Sequence, residues 1–348
     1  MERGRAGTAS GAASLPAGCT GPESHAGLAP GHPRAAPPGL GYTRPPMDAT
    51  LDHALKSAAS RLNAVTDSPR AEAEELLGRL LGLARTELYL QRTRELGAGE
   101  WQRLDRWLSR RARGEPVQYI TGRAAFRGLD LAVDPAVLIP RPETEGLVEA
   151  VLAVLREELS RWRAPRVLDL GTGSGAIALA IAAEWPDAIV TATDASEEAL
   201  AVARANAAAC GLAARIRLLN GEWFEPLALD ERFEVIVSNP PYIASGERDT
   251  LQAQVREFEP ERALFSGESG LEALREIVDE APRFLVGRGL LALELAELRA
   301  REVAAWLEGA HDWQDVTLLD DLSGRPRCLL ARRQSGPAIA PAQWVEEL

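Results

Sequence analysis

Apolar residues recur at helical spacing directly after Met47. Two later segments repeat the pattern: residues 68–82 open on a Ser-Pro start signal and close on glycine, and residues 101–108 carry regularly spaced Trp and Leu. The spacing predicts a small N-terminal helical domain over residues 47–115. The first helical face, at positions i, i+4, i+7 and i+11, consists of Leu51, Leu55, Ala58 and Leu62.

The pattern changes between residues 116 and 140. Apolar and β-branched residues are here spaced by two, as in Tyr119 with Thr121 and Leu129 with Leu131, and glycines lie nearby. Spacing by two is typical of strands, and glycines favour the turn between them. The sequence therefore predicts a β-hairpin linker over residues 116–140.

Short apolar runs then alternate with helical segments from residue 141 to residue 333. Such alternation predicts an α/β domain with a doubly wound, mostly parallel sheet. Two late runs, near residues 313–319 and 327–332, are joined only by a short link around Gly324, so we expect an antiparallel pair at one edge. The earlier runs are "RVLDL", "AIVTATD", "RIRLLN", "FEVIVSN" and "GLLALEL".

The two ends of the chain lack periodicity. Residues 1–46 are rich in Gly, Pro and Ala, and such a segment buries too little apolar surface to offset its ordering entropy. We interpret it as a disordered tail or as the product of a start assigned too early, with Met47 as the true start. Residues 334–348 are predicted to form a C-terminal tail.

Composition and charge disfavour several classes of protein. The chain has 348 residues, a formal net charge of -12 and a pI near 5.1, which counts against a duplex nucleic acid as the direct substrate. No run is long and apolar enough for a membrane span. The three cysteines and four histidines are scattered, so we expect no disulfide framework, no metal site and a cytoplasmic location.

A glycine-rich turn follows the first strand of the sheet domain, in "VLDLGTGSGAIALA". Glycine suits a backbone that turns sharply and approaches a ligand. Asp169 precedes the turn, and Asp194 ends the next strand, where an acid can bind a ribose diol. An acid beside the turn suits a cationic sulfonium better than a pyrophosphate, so we expect S-adenosylmethionine and not NAD. The predicted cofactor-binding residues here are Asp169, Gly171, Thr172, Gly173, Ser174, Gly175 and Asp194.

The strand "FEVIVS" ends on a second motif, Asn239, Pro240, Pro241 and Tyr242. In a doubly wound sheet it faces the same crevice as the glycine turn. The Asn239 side-chain carbonyl and the Pro240 backbone carbonyl can accept both hydrogens of a planar NH2 group, and Tyr242 offers a flat face for stacking. The motif predicts methylation of a conjugated amino nitrogen, with Asn239, Pro240 and Tyr242 as catalytic residues.

These motifs, together with "GEPVQYITG" and "VLIPRPETE", resemble the protein-glutamine N5-methyltransferases of peptide chain release factors, the family called PrmC or HemK. The resemblance runs from about Met47 to Arg332 and implies a class I, Rossmann-like methyltransferase domain. It also implies that Trp223 lies beside the adenine of S-adenosylmethionine, with Glu222 standing where the family usually has Asp, and that Asn239 contacts both cofactor and substrate. Residues 239–242 would hold the glutamine of a Gly-Gly-Gln loop in a class 1 release factor.

Further implications concern the segments around the site. The segment "FEPERALFSGESGL" resembles the one that flanks the family's site, and the helical domain would grip the release factor. The chain departs from the family pattern in "LALELAE" and in "FSGES".

Two other functions stay open from the residues. A nucleic-acid amino methyltransferase, acting on adenine N6 or guanine N2, would share the fold, the cofactor and the Asn239 chemistry. It would be expected to carry a basic recognition domain, in contrast to the charge of -12. The second is a non-catalytic protein that binds a release factor, which the intact Asn239, Pro240 and Tyr242 disfavour.

Overall fold

A computed structural model describes residues 50–158 and 160–335. The predictions for residues 1–46, for Met47 as the start and for most of the C-terminal tail therefore lie outside the described residues. Among the described helices, none has the length and apolar character needed to cross a membrane.

Five helices form the N-terminal part of the described residues. α2 begins with Pro69 after Ser68 and ends at Gly82, whose φ of 66° is the left-handed conformation of a helix C-cap. The predicted helical segments after Met47 are thus found, and α3 is an additional short helix. The bounds are α1 Leu51–Leu62, α2 Pro69–Leu81, α3 Arg85–Leu90, α4 Ala98–Arg111 and α5 Val117–Thr121.

The predicted first strand of the hairpin at Tyr119 and Thr121 is wrong, because these residues belong to α5. Val117 and Ile120 join the core of the helical part, whereas the Tyr119 hydroxyl donates to the Val137 carbonyl at 2.6 Å. A five-residue segment is too short for its spacing to separate helix from strand, and packing on both sides decides. The hairpin itself starts after Gly122 and consists of β1 Arg123–Phe126 and β2 Leu129–Ala132, paired antiparallel.

A seven-stranded sheet dominates the rest of the structure, in the order β5-β4-β3-β6-β7-β9-β8. The first five strands are parallel, and β9 and β8 add an antiparallel pair at one edge, as predicted. Short 3-10 helices span Ala213–Arg215, Ser245–Thr250 and Glu261–Ala263. The remaining elements are α6 Pro142–Glu157, β3 Arg166–Leu170, α7 Ala176–Glu184, β4 Ile189–Asp194, α8 Glu197–Ala209, β5 Ile216–Asn220, β6 Phe233–Ser238, α9 Ala253–Phe258, α10 Glu272–Phe284, β7 Leu285–Glu294, α11 Glu297–Gly309, β8 Trp313–Asp320 and β9 Pro326–Arg333.

The central strands are buried on both faces of the sheet. Val167 and Val235 pack into the core shared with α6 and α7, whereas their neighbours Leu168 and Ile236 pack into the core shared with α10 and α11. This alternation follows from the two-residue period of a strand. Helices thus cover both faces, which is the doubly wound arrangement that was predicted.

The order of the strands indicates where a ligand would bind. β3 lies between β4 and β6, so the chain leaves β3 on one side and returns on the other, and ligands bind at such a switch point. Leu170 pairs with Ser238, the last residues of β3 and β6. The segments that follow, starting at Gly171 and Asn239, therefore emerge side by side.

Candidate active site

The glycine turn directs the backbone from β3 into α7. Gly171, Gly173 and Gly175 all have positive φ, at 69°, 55° and 83°. A Cβ on Gly175 would lie 3.1 Å from Leu179 Cδ1, so a side chain is disfavoured both sterically and by conformation. At Gly173 a Cβ would meet nothing within 4 Å, because this glycine borders the open cavity. The turn thus offers bare backbone to a ligand at Gly173.

Asp169 lies beneath the turn and is fully buried. Its Oδ2 accepts hydrogen bonds from Thr172 Oγ1 at 2.6 Å and from the Ala178 backbone N–H at 3.2 Å. Its Oδ1 is buried and has no partner among the described residues. Burial raises the pKa of Asp169 to about 7. Asp169 therefore holds the turn from behind and is absent from the cavity wall, so direct contact with a cofactor stays a prediction.

Asp194 lies at the end of β4 and does line the cavity. Its Oδ2 accepts the Gly173 N–H at 2.8 Å and its Oδ1 accepts the Ser196 N–H at 2.9 Å. Burial raises the pKa of this carboxyl, and the two backbone hydrogen bonds counteract that rise. Each oxygen keeps lone-pair capacity for a further donor, as recognition of a ribose diol requires.

Glu222 and Trp223 follow β5 and border the same cavity. Trp223 has a positive φ of 42°, and a Cβ placed on Gly171 would lie 3.3 Å from its Cζ3, so the indole packs over the turn. Glu276, a residue of α10, borders the same cavity. An aromatic face thus lies next to the glycine turn.

Asn239 continues β6 into the cavity. Its Nδ2 donates to Thr144 Oγ1 at 3.1 Å, and Thr144 Oγ1 donates to Glu294 Oε2 at 2.7 Å. The Tyr242 hydroxyl lies 3.4 Å from the other Glu294 oxygen, Oε1. The Tyr242 ring packs against the core shared with α10, and burial raises the pKa of its hydroxyl to about 12. The Tyr242 ring is thus partly buried and absent from the cavity wall, and stacking of a substrate on it stays a prediction.

The "FSGES" segment supports the Asn-Pro-Pro-Tyr motif. The Ile243 N–H donates to the Leu264 carbonyl at 3.0 Å, and the Ser266 N–H donates to the Ile243 carbonyl at 2.9 Å. A Cβ on Gly270, whose φ is 78°, would lie 2.7 Å from the Tyr242 carbonyl oxygen. The two loops are thus in backbone contact, and glycine permits it.

One cavity of about 450 Å³ connects these segments, a volume typical of small-molecule sites. Four of the predicted residues are absent from its wall: Asp169, Gly175, Pro240 and Tyr242. The predicted residues on its wall are Gly171, Thr172, Gly173, Ser174, Asp194, Glu222, Trp223, Asn239 and Pro241.

The cavity residues that were not predicted include Arg141, Thr144, Phe265 and Glu276. Arg141 Nη2 donates to both carboxylate oxygens of buried Glu259, each at 2.7 Å. Both Arg141 and Thr144 lie in "IPRPETE", a motif that marked the resemblance without indicating which side chains face the site. Within residues 50–158 and 160–335, no three His, Cys, Asp or Glu side chains group so as to hold a metal ion.

A doubly wound sheet with an antiparallel edge pair, a glycine turn on β3 and an Asn-Pro-Pro-Tyr motif on β6 define a class I methyltransferase. Residues 53–122 match the family described as PrmC N-terminal domain, and residues 147–261 match the methyltransferase small domain. A methyltransferase of solved structure from Pyrococcus furiosus is 22% identical, with 60% of this chain and 90% of that chain covered and a TM-score of 0.43.

Two relatives named release factor glutamine methyltransferase come from Koribacter versatilis and Moorella thermoacetica. They are 42% and 43% identical over 285 and 286 residues, which is 82% of this chain and 99% of each relative. The chain belongs to the release factor glutamine methyltransferase family. It is an enzyme whose cofactor is S-adenosylmethionine, which excludes the interpretation as a non-catalytic binding protein.

Proposed function

We propose that the protein transfers a methyl group to the side-chain amide nitrogen, N5, of the glutamine in the Gly-Gly-Gln motif of class 1 peptide chain release factors. The observation that carries the proposal is that Asn239 and the glycine turn, at the ends of adjacent strands, line one cavity. The names of the relatives support glutamine as the acceptor.

The residues around the turn fit S-adenosylmethionine. Gly173 leaves space for a ligand at the backbone, Asp194 presents acceptors for a ribose diol, and Trp223 offers a face for adenine. The cofactor supplies a methyl group on a positively charged sulfur. The buried, unpartnered Oδ1 of Asp169 adds negative potential beneath the turn when that carboxyl is ionised.

Asn239 and Pro240 would orient the substrate amide. The Asn239 Oδ1 and the Pro240 backbone carbonyl each accept one N–H of the glutamine NH2 group, which directs the nitrogen at the methyl carbon and supports its loss of conjugation. Transfer of the methyl group to this nitrogen would leave a neutral thioether as the second product, and the methylated amide would then lose one proton to solvent.

The helical domain would position the release factor. Helices α1–α5 share a core of their own and are joined to the sheet domain through the hairpin. Contacts remote from the reacting amide can supply binding energy that holds a flexible loop in the cavity.

The test is methylation of a purified class 1 release factor by the full chain with S-adenosylmethionine, read by peptide mass spectrometry. We expect a gain of ~14 Da, one methylene, on the Gly-Gly-Gln peptide, and none on a release factor whose motif glutamine is replaced by glutamate. Duplex DNA and structured RNA are tested as alternative substrates in the same assay. Methylation of adenine or guanine there, with the release factor unmodified, would establish the nucleic-acid alternative.

A further inference from the structure

We propose that Glu294, acting through Thr144, sets which atom of the Asn239 carboxamide faces the substrate. Glu294 and Thr144 are positioning residues. The inference rests on the proposed function, in which Asn239 Oδ1 must accept a hydrogen bond from the glutamine amide. Thr144 comes from the first turn of α6 and Glu294 from the end of β7, 150 residues later.

The three groups form a continuous chain of hydrogen bonds. Asn239 Nδ2 lies 3.1 Å from Thr144 Oγ1, and Thr144 Oγ1 lies 2.7 Å from Glu294 Oε2. Thr144 is 4% exposed and Glu294 is 1% exposed, so bulk water does not compete for these contacts. Only Asn239 and Thr144 of the three reach the cavity wall.

The direction of each hydrogen bond follows from the number of protons available. A threonine hydroxyl has one hydrogen, and an ionised carboxylate only accepts. The Thr144 hydrogen is therefore committed to Glu294, and its oxygen can only accept from Asn239. Asn239 must turn its NH2 group toward Thr144, which leaves Oδ1 as the acceptor available at the cavity. The carboxylate thus determines the orientation of an amide that it does not touch.

If the hydrogen bond between Glu294 and Thr144 changes direction, the one between Thr144 and Asn239 changes direction too. In Glu294→Gln the new side chain can donate its NH2 group to the Thr144 oxygen, which frees the Thr144 hydrogen for Asn239. A flipped Asn239 then presents Oδ1 to Thr144 and Nδ2 to the cavity. Two NH2 groups would face each other there, and neither accepts.

The surroundings of Glu294 bear on its charge. Burial raises the pKa of this carboxyl, whereas hydrogen bonds from Thr144 and Tyr242 and the positive charge of Arg327 lower it. A protonated Glu294 could itself donate to the Thr144 oxygen, so a higher pH favours the ionised form, which only accepts. We call the hydrogen-bonded chain from Glu294 through Thr144 to Asn239 the relay.

The kinetic test compares single-turnover methylation of a release factor by wild type, Thr144→Ser, Thr144→Val and Glu294→Gln. Thr144→Ser keeps the hydroxyl and should stay within about threefold of wild type, whereas the other two should lose roughly 10–100-fold, less than removal of the acceptor itself. Thr191→Val, at an equally buried threonine of β4, is the matched control and should leave the rate within about twofold. Equal rates for Thr144→Val, Glu294→Gln and wild type would overturn the proposal.

A double-mutant cycle separates positioning from structural support. In an Asn239→Ala background, Thr144→Val and Glu294→Gln should change the rate by less than about twofold, because the group they orient is gone. A further loss like that in the wild-type background would assign them a structural role and refute the relay.

A spectroscopic readout needs no substrate. The chain has four asparagines, Asn63, Asn206, Asn220 and Asn239, so 15N-asparagine labelling gives few side-chain NH2 signals, and Asn239→Ala assigns the relevant pair. Glu294→Gln should shift that pair and leave the other three in place. An unshifted pair would refute the relay. If Glu294→Gln shows this shift while the wild-type enzyme leaves release factors unmodified, only the proposed function is overturned.

Discussion

Replacing Asp194 with alanine tests the cofactor site most directly. The Asp194 carboxylate accepts the N–H groups of Gly173 and Ser196 at 2.8 Å and 2.9 Å, so it both shapes the turn and borders the cavity. In the proposed complex its remaining lone pairs accept the two ribose hydroxyls. The alanine variant therefore loses the ribose contacts and the restraint on Gly173 together.

The magnitude follows from the burial of these contacts. A hydrogen bond to a charged group contributes about 1.5–3 kcal/mol, and after removal the ribose hydroxyls and the partly exposed N–H groups can recruit water. We expect a loss of about 2–3 kcal/mol of binding free energy, or roughly 30–150-fold in Kd. Asp194→Asn should be similar, because its NH2 group would face a backbone N–H donor at one of the two positions.

Titration calorimetry with S-adenosylmethionine and with S-adenosylhomocysteine measures the effect. Both ligands carry the same ribose, so both affinities should fall by the same factor. Asp187→Asn, at an exposed position before the opposite end of β4, is the control and should bind as wild type does. A change below about twofold for Asp194→Ala, or a loss confined to the charged ligand, would refute the ribose assignment.

Three further outcomes are expected. Asn239→Ala should slow single-turnover methylation on the order of 10²–10³-fold with S-adenosylmethionine affinity nearly unchanged; a near wild-type rate would remove this residue from the mechanism. Because the pKa of Asp169 is raised to about 7 in the folded state, its contribution to the free energy of unfolding is present at low pH and lost as pH rises through that value. Urea denaturation without cofactor should therefore show the stability of wild type relative to Asp169→Asn falling by about 2 kcal/mol from pH 5.5 to 8, and a pH-independent difference would contradict the raised pKa. Gly270→Ala should reduce methylation strongly because its Cβ would meet the Tyr242 carbonyl at 2.7 Å, whereas Gly324→Ala, with a similar φ of 74° and open space around it, should cost only about 1 kcal/mol of stability. Equal activity of these two variants would show that contact between the loops is dispensable.

Much of the fold could be predicted from local pattern. The amphipathic face of α1, the cap signals of α2 and the apolar runs of β3, β4 and β6 each follow from the residues of one segment. The antiparallel pairing of β8 and β9 could also be predicted from the sequence, because a short link cannot form the crossover that parallel strands need. α5 was mistaken for a strand, since Val117, Tyr119 and Ile120 are divided between two cores by packing.

Local pattern also predicted that the glycine turn, Asp194 and Asn239 would meet, because each follows a recognisable strand and parallel strands place their carboxyl ends at one edge. How those groups are held depends on distances between elements that are far apart in the chain. These distances place Asp169 behind the turn, pack the Tyr242 ring against the core and join Thr144 to Glu294 across 150 residues of chain. The physical reason is that periodicity reports which face of an element is buried, whereas a hydrogen bond between distant side chains depends on distances set when whole elements pack together.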